Sequence, residues 1–368
     1  MFLKFLITFS AFFIVVSKPI ETIKFFENPA FSPIDRFISW IEEFKIKFED
    51  SIHHSRVLQN WINNDLFILE NNSLNNTFIL GHNAYSGYSS EEFAELMGFA
   101  QNRKSYSQNQ TSFSLRGNMH FKRFEEVEIE LDVDTLPISV DWRLKNAVTP
   151  VKDQGQCGSC WSFSTTGSLE GAYAIKNDNL VSLSEQQLVD CDNFIHGGSD
   201  SGCNGGLMEN ALNWVTKYGG LCTEQVYPYV SGTTTTAGKC QQTCSKVDGT
   251  TVKSVVSVTS NSDNAMMTAL TINPVSVAIE ADQSAFQLYK SGVFTGSCGD
   301  NLDHGVLLVG YGSTSSSDYY ILKNSWGSSW GEQGYILLGK GNNPVTGKPY
   351  NGGAGQCGVL SDGVYPTL

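Results

Sequence analysis

The chain has 368 residues, 40% of them hydrophobic and 17% charged, with a net charge of -13 and a sequence pI near 4.9. No basic run offsets that acidity, which excludes nucleic acid as a partner class and leaves solubility as the reading of the charge. All nine cysteines lie from Cys157 onward, so composition divides the chain into a cysteine-free part and a cysteine-rich part.

In chain order, Met1-Phe-Leu-Lys4, the apolar run Phe5–Val16 and Ser17-Lys18-Pro19 read as a signal peptide over 1–17. The run is too short for the roughly 18 apolar residues that span a bilayer. The chain is therefore expected in the secretory pathway, with no membrane partner once the signal is removed. Residues 18–135 are polar and Asn-rich. Ser32-Pro33 predicts a helix cap followed by proline at the first helical position. Phe37, Ile41, Phe44 and Phe48 then recur at helical spacing. A second helix is predicted through Trp61, Asn64, Ile68 and Asn72. Asn71, Asn75 and Asn109 each open a glycosylation sequon. His53, His54, His82 and His196 are expected at the surface.

The cysteine-rich part runs from Leu136-Pro137 to the end, 136–368, and is long enough to bury two small cores. A helix is predicted from Trp161 through Ala172, Tyr173 and Ile175. Ser182-Leu-Ser-Glu185 looks like a capping box that opens another. Pro274–Ile279, Gly305–Val309 and Tyr319–Leu322 are rich in β-branched and aromatic residues and read as strands. Thr233–Thr236 and Ser313–Ser317 read as surface loops. Helices first and strands later predict an α+β fold.

The chemistry centres on Gln154-Gly-Gln-Cys-Gly-Ser-Cys160-Trp161. Cys157-x2-Cys160 alone also fits a redox dithiol or half a zinc site, but no second Cys-x2-Cys follows. An odd cysteine in a secreted chain points to a free reactive thiol, and the motif nominates Cys160. A thiol at a helix N-terminus beside an imidazolium can fall from a pKa of about 8.5 to about 3–4. His304, in Asp303-His304-Gly305-Val306, is the candidate imidazole, and Asn324-Ser-Trp326 lies further downstream.

These residues resemble the papain-like cysteine proteases of the cathepsin L type, over roughly residues 30 to 368. The resemblance implies a helical lobe and a β-barrel-like lobe with a cleft between them. It also implies that 18–135 is an inhibitory propeptide, with an I29-like helical domain over about 30–100 that runs backwards through the cleft. Trp61-x2-Asn64-x3-Ile68-x3-Asn72 is similar to the latter half of the ERFNIN motif, though His53 and Val57 stand where Glu and Arg are expected. Gly81-x-Asn83-x-Tyr85-x-Gly87 resembles the GNFD motif, with Tyr for Phe and Gly for Asp, and Ser90-Glu-Glu-Phe93 follows.

By the same resemblance Cys160 is the nucleophile, His304 its ion-pair partner and acid, and Asn324 the orienting residue. Gln154 joins the Cys160 backbone N–H as oxyanion donor, and Trp326 covers the His–Asn bond. Gly205 and Gly206 would pair with the substrate backbone. Leu207, Met208, Ala278, Leu302 and Gly305 would line the pocket for the substrate's second residue, with Asp303 beside it. Asp362 falls at the floor, which implies acceptance of basic as well as apolar side chains. The implied disulfides are Cys157–Cys203, Cys298–Cys357, Cys191 with Cys240 or Cys244, and Cys222 with the one remaining. Eleven residues with a single histidine, His196, lie between Cys191 and Cys203, so the longer His-His insertion of cathepsin B is absent and an endopeptidase is implied. Protein and peptide substrates, the chain's own propeptide as inhibitor, a monomeric state, no cofactor and no metal are expected, in a lysosome, vacuole or extracellular space. A catalytically silent relative with a binding or storage role is the alternative, and it would normally have lost Cys160 or His304.

Overall fold

The computed structural model describes residues 31–98, 135–241 and 243–368. The expected signal peptide and Asn109 lie outside the described residues. Asn75 is exposed and Asn71 partly so.

Helix α1 (Pro33–Phe44) begins as the sequence predicts: the Ser32 side chain accepts from the Asp35 N–H, and Pro33 takes the first turn. The predicted periodicity ran on to Phe48, but the helix stops at Phe44 because Lys45 adopts a left-handed conformation (φ 53°). Phe48 still reaches the apolar cluster of Phe37, Trp40, Val57 and Trp61. Helix α2 (Ser51–Ser73) turns Val57, Trp61, Asn64 and Ile68 inward. Asn64 Nδ2 donates to the Ser86 and Tyr88 carbonyls, and Asn72 exchanges hydrogen bonds with the Leu80 backbone. These amides tie α2 to the loop that follows strand β1 (Phe78–Leu80).

His82 is a correction: it is buried rather than at the surface. Its ring stacks on Trp61 at 4.4 Å and 7°, and its Nε2 lies 3.2 Å from Asp65 Oδ1. Asp65 is also paired with the buried Arg36. An isolated histidine in a polar stretch gives no hint of an acid one helix away. Gly87 has a steric reason: a Cβ there would sit 2.8 Å from Val57 Cγ1 and 3.0 Å from Trp40. An aspartate has no room at this position. Helix α3 (Ser90–Leu96) opens on a full capping box between Ser89 and Glu92.

The second part begins with β2 (Val140–Asp141). Helix α4 (Cys160–Asn177) runs through the centre of the molecule. Helix α5 (Glu185–Cys191) is capped by Ser184, which accepts from the Gln187 N–H, and not by Ser182. Glu185 is instead drawn inward to Lys152. With α6 (Met208–Tyr218), these helices close around Trp161, Leu169, Leu188 and Trp214.

Then come β3 (Ser254–Ser257), α7 (Asp263–Ile272), β4 (Val275–Ile279), β5 (Tyr289–Phe294), β6 (His304–Ser313), β7 (Asp318–Lys323), β8 (Tyr335–Gly339) and β9 (Gly363–Thr367), beside short helical turns that include Ser231–Thr234, where a loop was expected, and Ser284–Gln287. The sheet follows the order β1-β5-β8-β7-β6-β4-β9-β3, with β2 added on β6. It is an open path rather than a closed barrel. Strand β1 pairs antiparallel with β5, Phe78 opposite Gly292, so the first part of the chain adds a strand to the edge of the second.

Four disulfides close: Cys157–Cys203, Cys191–Cys240, Cys222–Cys244 and Cys298–Cys357. Of the two partners the sequence left open for Cys191, the structure selects Cys240. Cys160 is in no disulfide.

Candidate active site

Cys160 is the first residue of α4, where unpaired N–H groups and the helix dipole favour a thiolate. The Gly305 N–H points at its Sγ from 3.3 Å. Its neighbours are fixed by packing. Gly158 has no room for a side chain, since a Cβ would lie 2.6 Å from the Cys203 carbonyl. Trp161 is buried and donates to the Gly202 carbonyl at 3.1 Å.

His304 opens β6 opposite Ile279 of β4 and is fully buried. Its Nε2 lies 2.8 Å from Asn324 Oδ1. The Ser325 N–H donates to the same Oδ1 at 2.8 Å, which makes that atom the acceptor and Nε2–H the donor. Asn324 follows the end of β7, so adjacent strands set the pair. Trp326 stacks on the His304 ring at 4.8 Å and 26° and shields the bond from water. Burial pulls the imidazole down to about 4, against the opposing pull of the Asn324 bond.

Gln154 is fully buried and clamped. Its Nε2 donates to the Cys157 carbonyl at 3.0 Å, and its Oε1 accepts from Ser325 Oγ at 2.7 Å. The Tyr229 hydroxyl donates to the Gln154 carbonyl at 2.8 Å and lies 2.7 Å from Ser159 Oγ. Ser325 and Tyr229 were not singled out from the sequence. The only signal for Ser325 was its place between Asn324 and Trp326, and Tyr229 gave none.

Leu207, Met208, Ala278 and Leu302 come together in one apolar cluster, and Gly305 pairs with Ala278. The Ala278 N–H donates to the Asp362 carbonyl at 3.1 Å, so Asp362 joins the same wall. Asp362 is partly buried, and that burial, with Glu209 nearby, pushes its carboxyl up to about 6. Asp303 turns away: its Oδ1 accepts from the Ala281 N–H at 2.8 Å and braces the loop behind His304. Gly205 has φ 100°, and a Cβ on Gly206 would run into the Trp161 indole.

Behind Asn324, a cavity of about 20 Å³, hardly more than one water, lies among Lys152, Glu170, Glu185 and Lys323. Lys152 binds Glu170 at 3.0 Å and Glu185 at 2.6 Å. Lys323 donates to Thr149 Oγ1 at 3.0 Å, and burial lowers its pKa to about 8.

The first part of the chain lies against this site. Phe93 of α3 packs edge-on against Trp326 at 5.0 Å, and the Tyr85 hydroxyl donates to the Trp326 carbonyl at 3.3 Å. Gly98, just beyond α3, comes so close that a Cβ would be 2.9 Å from the Gly158 Cα.

A buried cysteine at a helix start, a histidine bonded to an asparagine and a helical unit packed against the neighbouring Trp326 and Gly158 are the features of a thiol hydrolase in precursor form. Residues 136–367 match the papain family cysteine protease domain, and residues 37–93 match the cathepsin propeptide inhibitor domain. The chain belongs to the papain family of cysteine proteases, carries the propeptide of its cathepsin branch, and is a cysteine-type endopeptidase. It is 39% identical over 329 residues to the senescence-specific cysteine protease SAG39 of Oryza sativa subsp. japonica, covering 89% of this chain and 88% of the relative. It is 37% identical to cysteine proteinase 3 of Dictyostelium discoideum, covering 90% of each chain. Among solved structures, the proform of the ragweed pollen cysteine protease Amb a 11 aligns with a TM-score of 0.75 at 33% identity, covering 91% of this chain and 94% of that one. Digestive procathepsin L 3 of Tenebrio molitor aligns with a TM-score of 0.74 at 34% identity, covering 91% and 99%.

Proposed function

We propose that this protein is a self-inhibited endopeptidase of an acidic secretory compartment, cutting peptide bonds through Cys160 and His304. The Cys160 thiolate attacks the scissile carbonyl carbon. The C–S bond forms as the carbonyl π pair moves onto oxygen. The Cys160 backbone N–H and the second amide N–H of Gln154 receive that oxyanion. His304 passes its Nδ1 proton to the amine nitrogen as the C–N bond breaks, leaving a thioester. Water then attacks the thioester carbon, gives its proton to His304, and the thiolate departs. Asn324 holds the ring so that Nδ1, not Nε2, carries this traffic.

The observation that carries the reading is the assigned Nε2–H donation to Asn324, with Cys160 at the start of α4. Residues 1–17 act as signal, 18–135 as inhibitory propeptide and 136–368 as protease. Four disulfides fit folding in an oxidising compartment. In the precursor the covered cleft keeps His304 neutral; loss of the propeptide lets the ion pair form. The pocket of Leu207, Met208, Ala278, Leu302 and Gly305 takes an apolar second residue, and Asp362 admits a basic one when ionised.

The test is to acidify the purified precursor with a mild reductant and follow its mass alongside hydrolysis of fluorogenic dipeptides carrying Leu or Arg at the second position. Loss of about the first 135 residues together with activity, both absent in Cys160→Ala, is expected on this self-cleavage mechanism. Cleavage of the propeptide without peptide hydrolysis would overturn it.

A further inference from the structure

Beneath the Gly205–Gly206 edge lies a pair of acids that the catalytic chemistry does not use. Asp192 follows α5 and is fully buried; Asp200, later in the same loop, is 6% exposed. Their carboxyls lie within hydrogen-bonding reach of one another. Asp192 Oδ1 accepts from the Ser199 N–H at 3.2 Å. Asp200 Oδ1 accepts from the Leu207 N–H at 3.0 Å and from Asn210 Nδ2 at 3.1 Å. The second oxygen of each acid is buried and has no other partner among the described residues. Two carboxylate oxygens cannot bond to each other unless one carries a proton, because an ionised carboxylate only accepts.

The pair also bears on the edge above it. A Cβ on Gly206 would lie 2.9 Å from Asp200 Cγ, so carboxyl and glycine are already in close contact. Next to Asp200, the Ser201 N–H donates to the Gly205 carbonyl at 2.9 Å. Asp200 thus holds Leu207 and backs Gly206, while its neighbour holds Gly205.

We propose that Asp192 and Asp200 share one proton and act as positioning residues, holding the Gly205–Gly206 edge in its peptide-binding shape in acid and releasing it towards neutral pH. This rests on the reading that the substrate backbone lies along that edge. Above the titration of the pair, two like charges face each other in a buried site. One must move, and the anchors on Leu207 and Asn210 move with it.

The surrounding charges do not cancel this. Lys217 of α6 faces Asp192. His196 is bound through Nδ1 to Asn193 Oδ1 at 3.0 Å, and Asp190 of α5 is turned to Gln186, Tyr227 and the Gly238 N–H. Burial first, then Asp192, pushes Asp200 well above the usual carboxylate range. A raised carboxyl stabilises the folded site while it is protonated, and that support fades as pH rises through the raised value. The effect therefore falls on peptide binding at neutral pH and is read in KM; kcat follows the thiolate–imidazolium pair.

The variant is Asp200→Asn, whose amide donates permanently to Asp192 while its oxygen keeps the Leu207 and Asn210 bonds. Precursors of the parent and variant are activated in acid. KM and kcat for a peptide substrate, and the melting temperature of the alkylated enzyme, are measured from about pH 5 to about pH 7.5. KM of the parent should rise about tenfold, the effect of one unit beyond a titration, while that of the variant stays within about twofold. The melting temperature of the variant should also lose part of its fall with pH, and kcat should follow the same profile in both. Superimposable profiles in both KM and melting temperature would overturn the shared proton. A flattened melting profile with an unaltered KM profile would overturn the coupling and, with it, the placing of substrate along Gly205–Gly206. Asp192→Asn, which reverses donor and acceptor, serves the same comparison if Asp200→Asn does not fold.

Discussion

Asp65→Asn should unlock the precursor at neutral pH. Asp65 sits between Arg36 and His82, with both acid and guanidinium almost wholly buried. Burial alone would raise its carboxyl, but the hydrogen bonds and charges of His82 and Arg36 outweigh it and hold the acid below its usual value. A depressed carboxyl contributes stability above its unfolded pKa and loses it only as pH falls through the lower folded value. The pair thus stays ionised in mild acid, and its protonation is not the activation trigger. Replacing the acid leaves the buried Arg36 charge with the Phe31 carbonyl and a neutral amide but no counter-charge, which costs about 3–5 kcal/mol. That corresponds to roughly two to three and a half orders of magnitude in the opening equilibrium of the propeptide. The assay is the rate at which iodoacetamide labels Cys160 in the intact precursor at neutral pH, read by mass. The parent should label slowly and Asp65→Asn at least about a hundredfold faster. The double variant Arg36→Met/Asp65→Leu removes both charges and should recover most of the latency. A single variant that labels within twofold of the parent would refute the reasoning.

Other outcomes follow from the site. Gln154→Ala should lower kcat by about 10²–10³. Ser325→Ala, which frees Gln154 Oε1 without removing the donor, should cost less, and kcat measured at saturating peptide separates the two. With the Asp362 carboxyl near 6 through burial and Glu209, its charge is present above that value and lost below it. The ratio of Arg to Leu cleavage should therefore climb as pH rises through 6 and stay flat in Asp362→Asn; equal slopes in both enzymes would count against an acidic pocket floor. Glu185→Gln leaves Lys152 with one carboxylate in a buried cluster. Thermal unfolding should show a loss of about 1–3 kcal/mol, the cost of a weakened buried hydrogen-bond network in which Lys152 still holds Glu170.

What the sequence made legible was what local chemistry dictates. Ser32-Pro33 fixed the start of α1, and the apolar spacing of Trp61 and Ile68 fixed the buried face of α2. The run Cys157–Trp161 marked the head of α4, and the structure gives Gly158 there no room for a side chain. What stayed hidden depends on residues far apart meeting. His82 finds Asp65 only once α2 is folded back on its loop, and Ser325 finds Gln154 across 171 positions. The Asp192–Asp200 pair was hidden because two scattered acids in an acidic chain look like surface charge. The cap of α5 moved from Ser182 to Ser184 because Lys152 claims Glu185.

On this reading the propeptide keeps the Cys160–His304 pair un-ionised, and its removal lets the pair form. The most direct measurement is the pH profile of Cys160 alkylation in the precursor and in the acid-activated enzyme, read by mass at that residue. The precursor thiol should become reactive only well above the midpoint of the activated enzyme, which should already react near pH 4. Profiles with the same midpoint in both forms would contradict it.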